Sequence, residues 1–387
     1  MANLIYASMP TTIFTVMSGL ARETGAINLG QGFPDEPGPR AIRQKAAEAV
    51  LDGYNQYPPM PGLPELREAV AGHYARFQGL DLDWRNEITV TSGATEALAC
   101  AFLALIEPGD QVVVFAPTYD AYLPMIRRAG GVPRVVRLTP PHWRYDRSML
   151  EATFNERTRL VVLNNPLNPT ASICPPPDLA LLAEFCVRFD AVAVCDEVWE
   201  QVVFDGAAHV PLMALPGMRE RTVKIGSAGK LFALTGWKVG WLCAAPALTA
   251  VLSKAHQFLT FTTPPNLQSA VAWGLGNSDD WFAAMPSDLT RSRDRLASAL
   301  RAEGFAVLQS QGAYFLNVDL EASGVRESDA DFCLRAVKQA GIAAIPLSAF
   351  YEIDPVTTII RLCFAKRDET LDEGARRLAR ARDLSFT

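Results

Sequence analysis

The sequence predicts an α/β protein, with a mostly parallel sheet flanked by helices and a smaller α+β domain. Three features lead there. Between residues 88 and 245, short Val-rich runs alternate with helical stretches, and such continuous apolar runs suit strands covered on both faces. After about residue 290 the alternation gives way to a mixture of helices and strands. The chain of 387 residues, 49% apolar and 20% charged, is long enough for two lobes around a large buried core.

In order, the candidate strands are Ile88–Thr91, Gln111–Phe115, Leu160–Leu163, Ala191–Cys195, Thr222–Ile225 and Val239–Leu242. Helical patterns between them cover Ala94–Ile106, Tyr119–Ala129 and Asp178–Phe189. A long helix at Leu289–Glu303 then leads to strands at Phe305–Gln309 and Tyr314–Val318. A helix at Asp329–Ala340, a strand at Thr358–Phe364 and a terminal helix at Glu369–Arg382 complete the chain. The Pro- and Gly-rich stretch Gly30–Pro39 reads as an irregular linker between lobes. Ligands of open α/β sheets gather beyond strand C-termini and at domain junctions, so chemistry is sought there.

Composition narrows the function classes. A net charge of −6 gives a polyanion nothing to bind. Arg127-Arg128 and the run from Arg376 to Arg382 recur at helical spacing and read as solvated helix faces. The start, Met1-Ala2-Asn3-Leu4-Ile5-Tyr6, has no basic region followed by an apolar run, so no signal peptide is expected. No segment approaches the roughly 18 uncharged apolar residues of a membrane helix. Seven cysteines, an odd number without a Cys-x-x-Cys pair, read as buried free thiols in a reducing cytoplasm. Four histidines stand apart in sequence with no ligand spacing, so no metal is expected.

Two glycine-rich stretches are decoys. Gly30-x-Gly32-x-x-Asp35 lacks the third glycine of a dinucleotide fingerprint and runs into prolines. Gly226-Ser227-Ala228-Gly229-Lys230-Leu231 is too short for a P-loop and has Leu where Ser or Thr would bind magnesium.

The second stretch has another use. Lys230 sits in a small-residue turn after a strand; burial there would lower its pKa and make it a better amine nucleophile. Ser227 and Lys238 offer a hydroxyl and a cation to a phosphate. Alone, the segment fits a surface turn better. Gly93-Ala94-Thr95 opens a helix whose free N–H groups suit a phosphate, or a plain N-cap. Tyr119 follows a buried strand and offers a ring to stack on another, or packs in the core beside Tyr122. Asn168, in Asn164-Asn165-Pro166-Leu167-Asn168-Pro169, is a strand exit or a generic turn. Asp196 ends an apolar strand, where a buried carboxylate requires a cationic partner; a helix cap is the alternative. Arg361, inside Ile359-Ile360-Arg361-Leu362, presents a planar fork that suits a carboxylate, or a structural salt bridge.

Taken together and in this order, these motifs resemble fold type I pyridoxal 5′-phosphate (PLP)-dependent aminotransferases of class I/II. The likeness is closest to the kynurenine/glutamine and methionine-type enzymes, and it runs from Thr11 to about Arg377. The resemblance implies an N-terminal arm with part of the small domain at 1–44, a large PLP-binding domain at 45–290 and a small domain at 291–387. It makes Lys230 the Schiff-base lysine and Asp196 the partner of the cofactor's pyridinium nitrogen. Gly93, Ala94, Thr95, Ser227 and Lys238 would hold the phosphate, Tyr119 would stack on the ring, and Asn168 would donate to the ring's 3-oxygen. Arg361 and the backbone of Gly32 would take the substrate α-carboxylate, with Phe14 lining the substrate pocket. Tyr57, in Asn55-Gln56-Tyr57-Pro58, would cross a homodimer interface to the neighbouring phosphate.

One position departs from the pattern: Trp199 stands where relatives commonly have a tyrosine whose hydroxyl touches the 3-oxygen. Indole donates a hydrogen bond but cannot accept one, so Trp199 either serves as donor or leaves that role empty. The implied activity is ping-pong transfer of an amino group from an L-amino acid to a 2-oxo acid. The matched segments carry no arginine for a second carboxylate, which favours aromatic, methionine or glutamine side chains over aspartate. A cysteine-S-conjugate β-lyase would use the same lysine and arginine. A non-enzymatic PLP-binding regulator is the other alternative, and such proteins carry an appended DNA-binding domain for which the start of the chain leaves no room.

Overall fold

The structure is a computed structural model that describes residues 3–384. Seven strands build the central sheet: β1 (Ile88–Ser92), β2 (Gln111–Ala116), β3 (Val132–Arg137), β4 (Thr158–Asn164), β5 (Val192–Asp196), β6 (Thr222–Ser227) and β7 (Val239–Cys243). They lie in the order β1-β7-β6-β5-β4-β2-β3. Only β7 runs against its neighbours; the remaining pairings are parallel. Strands β5 and β6 are buried along their whole length, with Asp196 and Lys224 the charged residues among otherwise small and β-branched ones. β3, which carries two arginines and a proline, is the edge strand that the Val-rich pattern did not reveal.

This topology positions the site. The C-terminal ends of β1, β2, β4, β5 and β6 point the same way, and the N-terminal end of β7 joins them because that strand is reversed. Ser92 pairs with Val239, Asn164 with Asp196, and Ser227 with Gly240, so residues far apart in sequence meet along one sheet edge.

A second, four-stranded antiparallel sheet is built from β8 (Ala306–Val307), β9 (Phe315–Asp319), β10 (Ile345–Pro346) and β11 (Ile359–Cys363), in the order β10-β11-β9-β8. The short segment Ile27–Asn28 pairs in parallel with Ile342–Ala343, tying the N-terminal region to this part of the chain. Helix α1 (Ile13–Thr24) precedes it, capped by the Thr12 hydroxyl and closed by Gly25 in the left-handed region.

Several boundaries differ from expectation. The helix expected at 119–129 begins only at Tyr122. That expected from Leu289 starts at Asp279 and continues to Ala302 through Pro286, so it spans residue 290 without a break. β8 is shorter than the strand expected at 305–309. The helix expected at 329–340 is α-helical to Arg335 and a π-turn from Ala336 to Ala340. Among the described residues, no helix is long and apolar enough to cross a membrane.

Candidate active site

A cavity of about 400 Å³ opens where the sheet edge meets the second sheet. Its lining includes Phe14, Gly32, Gly93, Ala94, Thr95, Tyr119, Asn168, Asp196, Trp199, Ser227, Lys230, Lys238 and Arg361. All the expected site residues therefore converge here except Tyr57. That ring is 79% exposed and packs edge-on against Phe261 at 5.5 Å, outside the lining of this cavity.

Lys230 follows β6 in the one-turn helix Ala228–Leu231. Burial lowers its amine to about pKa 8, and the nearby Asp196 carboxylate offsets only part of that. The amine lies 4.7 Å from the centre of the Trp199 ring. It donates to the Tyr314 hydroxyl at 3.2 Å, a partner that no motif announced.

Asp196, the last residue of β5, is buried, and burial raises its pKa against the opposing pull of a hydrogen bond from Tyr122. The Tyr122 hydroxyl donates to Asp196 Oδ2 at 2.6 Å. Tyr122 is thus more than the packing residue suggested by sequence. Asp196 Oδ1 has no hydrogen-bond partner among the described residues. A buried carboxylate oxygen in that state is costly unless a donor occupies the cavity.

At the sheet edge, helix α2 (Gly93–Leu105) begins without a side-chain cap. The Ser92 N–H instead meets Glu96 Oε2 at 2.5 Å, which leaves the amides of Gly93, Ala94 and Thr95 at the cavity wall. Gly93 has φ +69°, a conformation that side chains other than hydrogen disfavour. Gly240 was not singled out by sequence, yet a Cβ there would lie 2.7 Å from the Gly93 carbonyl carbon. Its absence lets β7 press against this turn and brings Lys238 alongside it.

On the opposite side Arg361, in β11, is buried under Phe315, whose ring centre lies 4.0 Å from the guanidinium carbon; Phe14 lies at 5.3 Å and Phe350 at 5.2 Å. Burial lowers its pKa to about 10, so it remains a cation at neutral pH. It donates through Nη1 to Asn168 Oδ1 at 2.7 Å and through Nη2 to the Gly30 carbonyl at 2.7 Å. Nε has no partner among the described residues, and each terminal nitrogen keeps a second N–H. Among the described residues no carboxylate pairs with it, so a structural salt bridge there does not explain it. Asn168, with its oxygen committed to Arg361, keeps its amide N–H groups for a ligand.

Two histidines that stand alone in sequence are paired in space: His256 Nδ1 lies 2.7 Å from Glu96, and His209 lies 3.3 Å from Glu197. Each belongs to a buried histidine–acid group away from the cavity lining.

The comparisons with known proteins agree with this geometry. The family model for aminotransferase class I and II matches residues 24–378. A probable N-succinyldiaminopimelate aminotransferase of Mycobacterium tuberculosis is 43% identical over 380 residues, covering 95% of this chain and 96% of its own. A methionine aminotransferase of Escherichia coli is also 43% identical, over 369 residues and 95% of each chain. The crystal structure of Escherichia coli YbdL, for which a methionine aminotransferase function was identified, superposes with a TM-score of 0.95 at 41% identity, covering 98% of this chain and 99% of that one. The chain belongs to the class I and II aminotransferases, and it is an enzyme of amino-group transfer between amino acids and oxo acids.

Proposed function

We propose that this aminotransferase uses PLP in a ping-pong reaction, taking the amino group of an L-amino acid with an aromatic, methionine-like or glutamine-like side chain and passing it to a 2-oxo acid. The observation that carries the reading is Asp196: a buried carboxylate with one unpartnered oxygen, in the same cavity as a lysine of lowered pKa. A pyridinium N–H is the donor that such an oxygen lacks.

The remaining residues fit the same group. The amides of Gly93, Ala94 and Thr95, the Ser227 hydroxyl and the Lys238 ammonium form a dianion cradle at a helix start. Asn168 is free to donate to a ring oxygen, and Tyr119 and Trp199 offer aromatic walls. Lys230 is the covalent anchor. When bound, PLP supplies an electron sink that weakens the Cα–H bond of the amino acid.

The chain's own residues do the rest. Arg361 fixes the α-carboxylate through its unused N–H groups, and Asn168 holds that guanidinium in place. The Gly32 backbone borders the same subsite. Phe14 and Phe315 keep water from the guanidinium face. The Lys230 amine, neutral above about pH 8, accepts the α-proton at Nζ. The charged residues lining the cavity are Asp196, Lys230, Lys238 and Arg361. Each has a task already, so none remains for a second substrate carboxylate, and an uncharged side chain is favoured.

A homodimer completes the proposal. Tyr57 is exposed and outside the lining of its own cavity, and would reach the phosphate cradle of a second copy. The exposed Leu51, Tyr54, Phe258 and Phe261 support an apolar interface there. The large domain at 45–290 would carry the cofactor, with 1–44 and 291–387 forming the smaller one. Seven free cysteines, six of them buried, support a cytoplasmic setting.

The test is Lys230→Ala, assayed for amino transfer from methionine, phenylalanine, glutamine and aspartate. A loss of at least about 10³-fold is expected, and in the parent enzyme aspartate should be the poorest of the four donors. A variant that still transfers at near the parental rate would sink the assignment.

A further inference from the structure

We propose that Tyr314 is a positioning residue for Lys230, its phenol oxygen accepting a hydrogen bond from the lysine amine and tying that amine to the loop that also anchors Arg361. This rests on Lys230 being the amine of the reaction. It is carried by the direction of two hydrogen bonds. The Tyr314 hydroxyl has one proton, and it is given to the Gly32 carbonyl at 2.6 Å. The oxygen's lone pairs are therefore what faces Lys230 Nζ at 3.2 Å, and a lone pair favours the ammonium over the neutral amine.

The surroundings leave Tyr314 little freedom. It is buried, and its ring meets Trp199 edge-on at 4.2 Å and Phe315 at 5.2 Å. Its carbonyl accepts from the Phe364 N–H, just beyond the strand that carries Arg361. Trp199, the other aromatic beside Lys230, presents only a ring face to the amine, and its indole has no acceptor. The phenol oxygen is thus the side-chain acceptor for Lys230 among the described residues.

The same contacts link the two ends of the substrate site. Gly32, which accepts from Tyr314, lies two residues from Gly30, which accepts from Arg361. Asn28 Oδ1 accepts from the N–H groups of Gly30 and Gln31, which stiffens the segment between them. The proton acceptor and the carboxylate clamp are held at a set separation by one short loop, as proton transfer from a clamped substrate requires.

The experiment is competitive labelling of full-length, cofactor-free protein with acetic anhydride across pH, read by mass spectrometry at the peptide carrying Lys230. In Tyr314→Phe the ring is kept and the acceptor lost, so the labelling midpoint of Lys230 is expected to fall by about one pH unit. In the loaded enzyme kcat should fall about tenfold and KM should rise by a smaller factor, because Gly32 loses its bond from Tyr314 while Arg361 keeps its bonds to Asn168 and Gly30. Tyr314→Met, which also lacks an oxygen acceptor but fills the space adaptably, is the second variant should the first not fold, and the same downward shift is expected. An unchanged midpoint in the folded variant overturns the proposal. Labelling requires no turnover, so this outcome is separate from that of Lys230→Ala, which tests the reaction itself.

Discussion

Lys224 and Lys230 lie on one strand-to-turn segment, both away from bulk water, and the protein treats them in opposite ways. The Lys224 ammonium is buried within β6 against the carboxylates of Glu197 and Glu200, and stacks over the Tyr74 ring at 4.6 Å. Burial alone would lower its pKa, but the two carboxylates outweigh that and raise it. Lys230 faces the cavity with a neutral phenol as its hydrogen-bond partner, and burial prevails. The adjacent acids Asp196 and Glu197 show the same split. Burial raises Asp196, whereas Lys224 and His209 overcome burial and hold Glu197 at about 2. In extended chain successive side chains face opposite ways, so Asp196, the last residue of β5, feeds the cavity while Glu197, just beyond the strand, feeds the closed ion cluster. A buried charge with its counter-ions is structure, and a buried charge without them is a site waiting for a ligand.

The largest stability effect expected from this contrast is on the closed side. Lys224→Met leaves Glu197 and Glu200 buried without their cation and should destabilise the protein by about 3–5 kcal/mol, measured by urea unfolding. A loss under about 1 kcal/mol would mean that the cluster is not the coupled unit its geometry implies.

Next comes the opposite sign on the open side. Lys230→Met in the cofactor-free protein should stabilise it by roughly 2 kcal/mol at pH 7, because a poorly solvated ammonium is removed. The sign follows from linkage: between the folded value of about 8 and the ordinary 10.5, the unfolded chain binds the proton that the folded chain has lost. Parental stability therefore rises with pH across that window, and the advantage of the variant should fade over the same range. A variant less stable than the parent at pH 7 would contradict the contrast.

The smallest effect tests the link between the cavity and its support. Tyr122→Phe removes the hydroxyl that donates to Asp196 and should cost about 1 kcal/mol of stability, as for a single buried hydrogen bond. Activity should drop severalfold while the parental donor preference is kept, since Asp196 loses its orientation and the substrate clamp is unaltered. An altered ranking of donors would show instead that Tyr122 shapes the substrate subsite.

How much of this was legible beforehand can be judged residue by residue. Lys230, Asp196, Asn168 and Arg361 were singled out by the resemblance to class I/II aminotransferases; the residues alone left a surface turn, a helix cap, a generic turn and a structural salt bridge open, although the buried positions of Asp196 and Arg361 in apolar runs called for a partner. The central strands leading to the site were readable because strands buried on both faces require mostly apolar sequence. Tyr122 and Tyr314 were not, since an aromatic in an apolar context looks the same whether its hydroxyl is idle or bonded. Gly240 was hidden for a similar reason: its need for a missing side chain comes from Gly93, a neighbour across the sheet. The paired histidines escaped notice because neither pair has the spacing of a ligand motif: Glu96 lies 160 residues from His256, and Glu197 and His209 are joined only by the turns after β5.

The sequence by itself determined the alternation of elements, the apolar strands and the identity of the polar residues breaking them, for these follow from local periodicity and the cost of burying charge. Only the tertiary structure decided which buried charges are neutralised and which are left open. That depends on distances across the sheet and between the two sheets: Glu197 and Glu200 reach Lys224, whereas among the described residues no carboxylate pairs with Arg361 and Asp196 Oδ1 has no hydrogen-bond partner. Coulomb energy in a poorly solvated interior varies steeply with such distances, and linear sequence does not encode them.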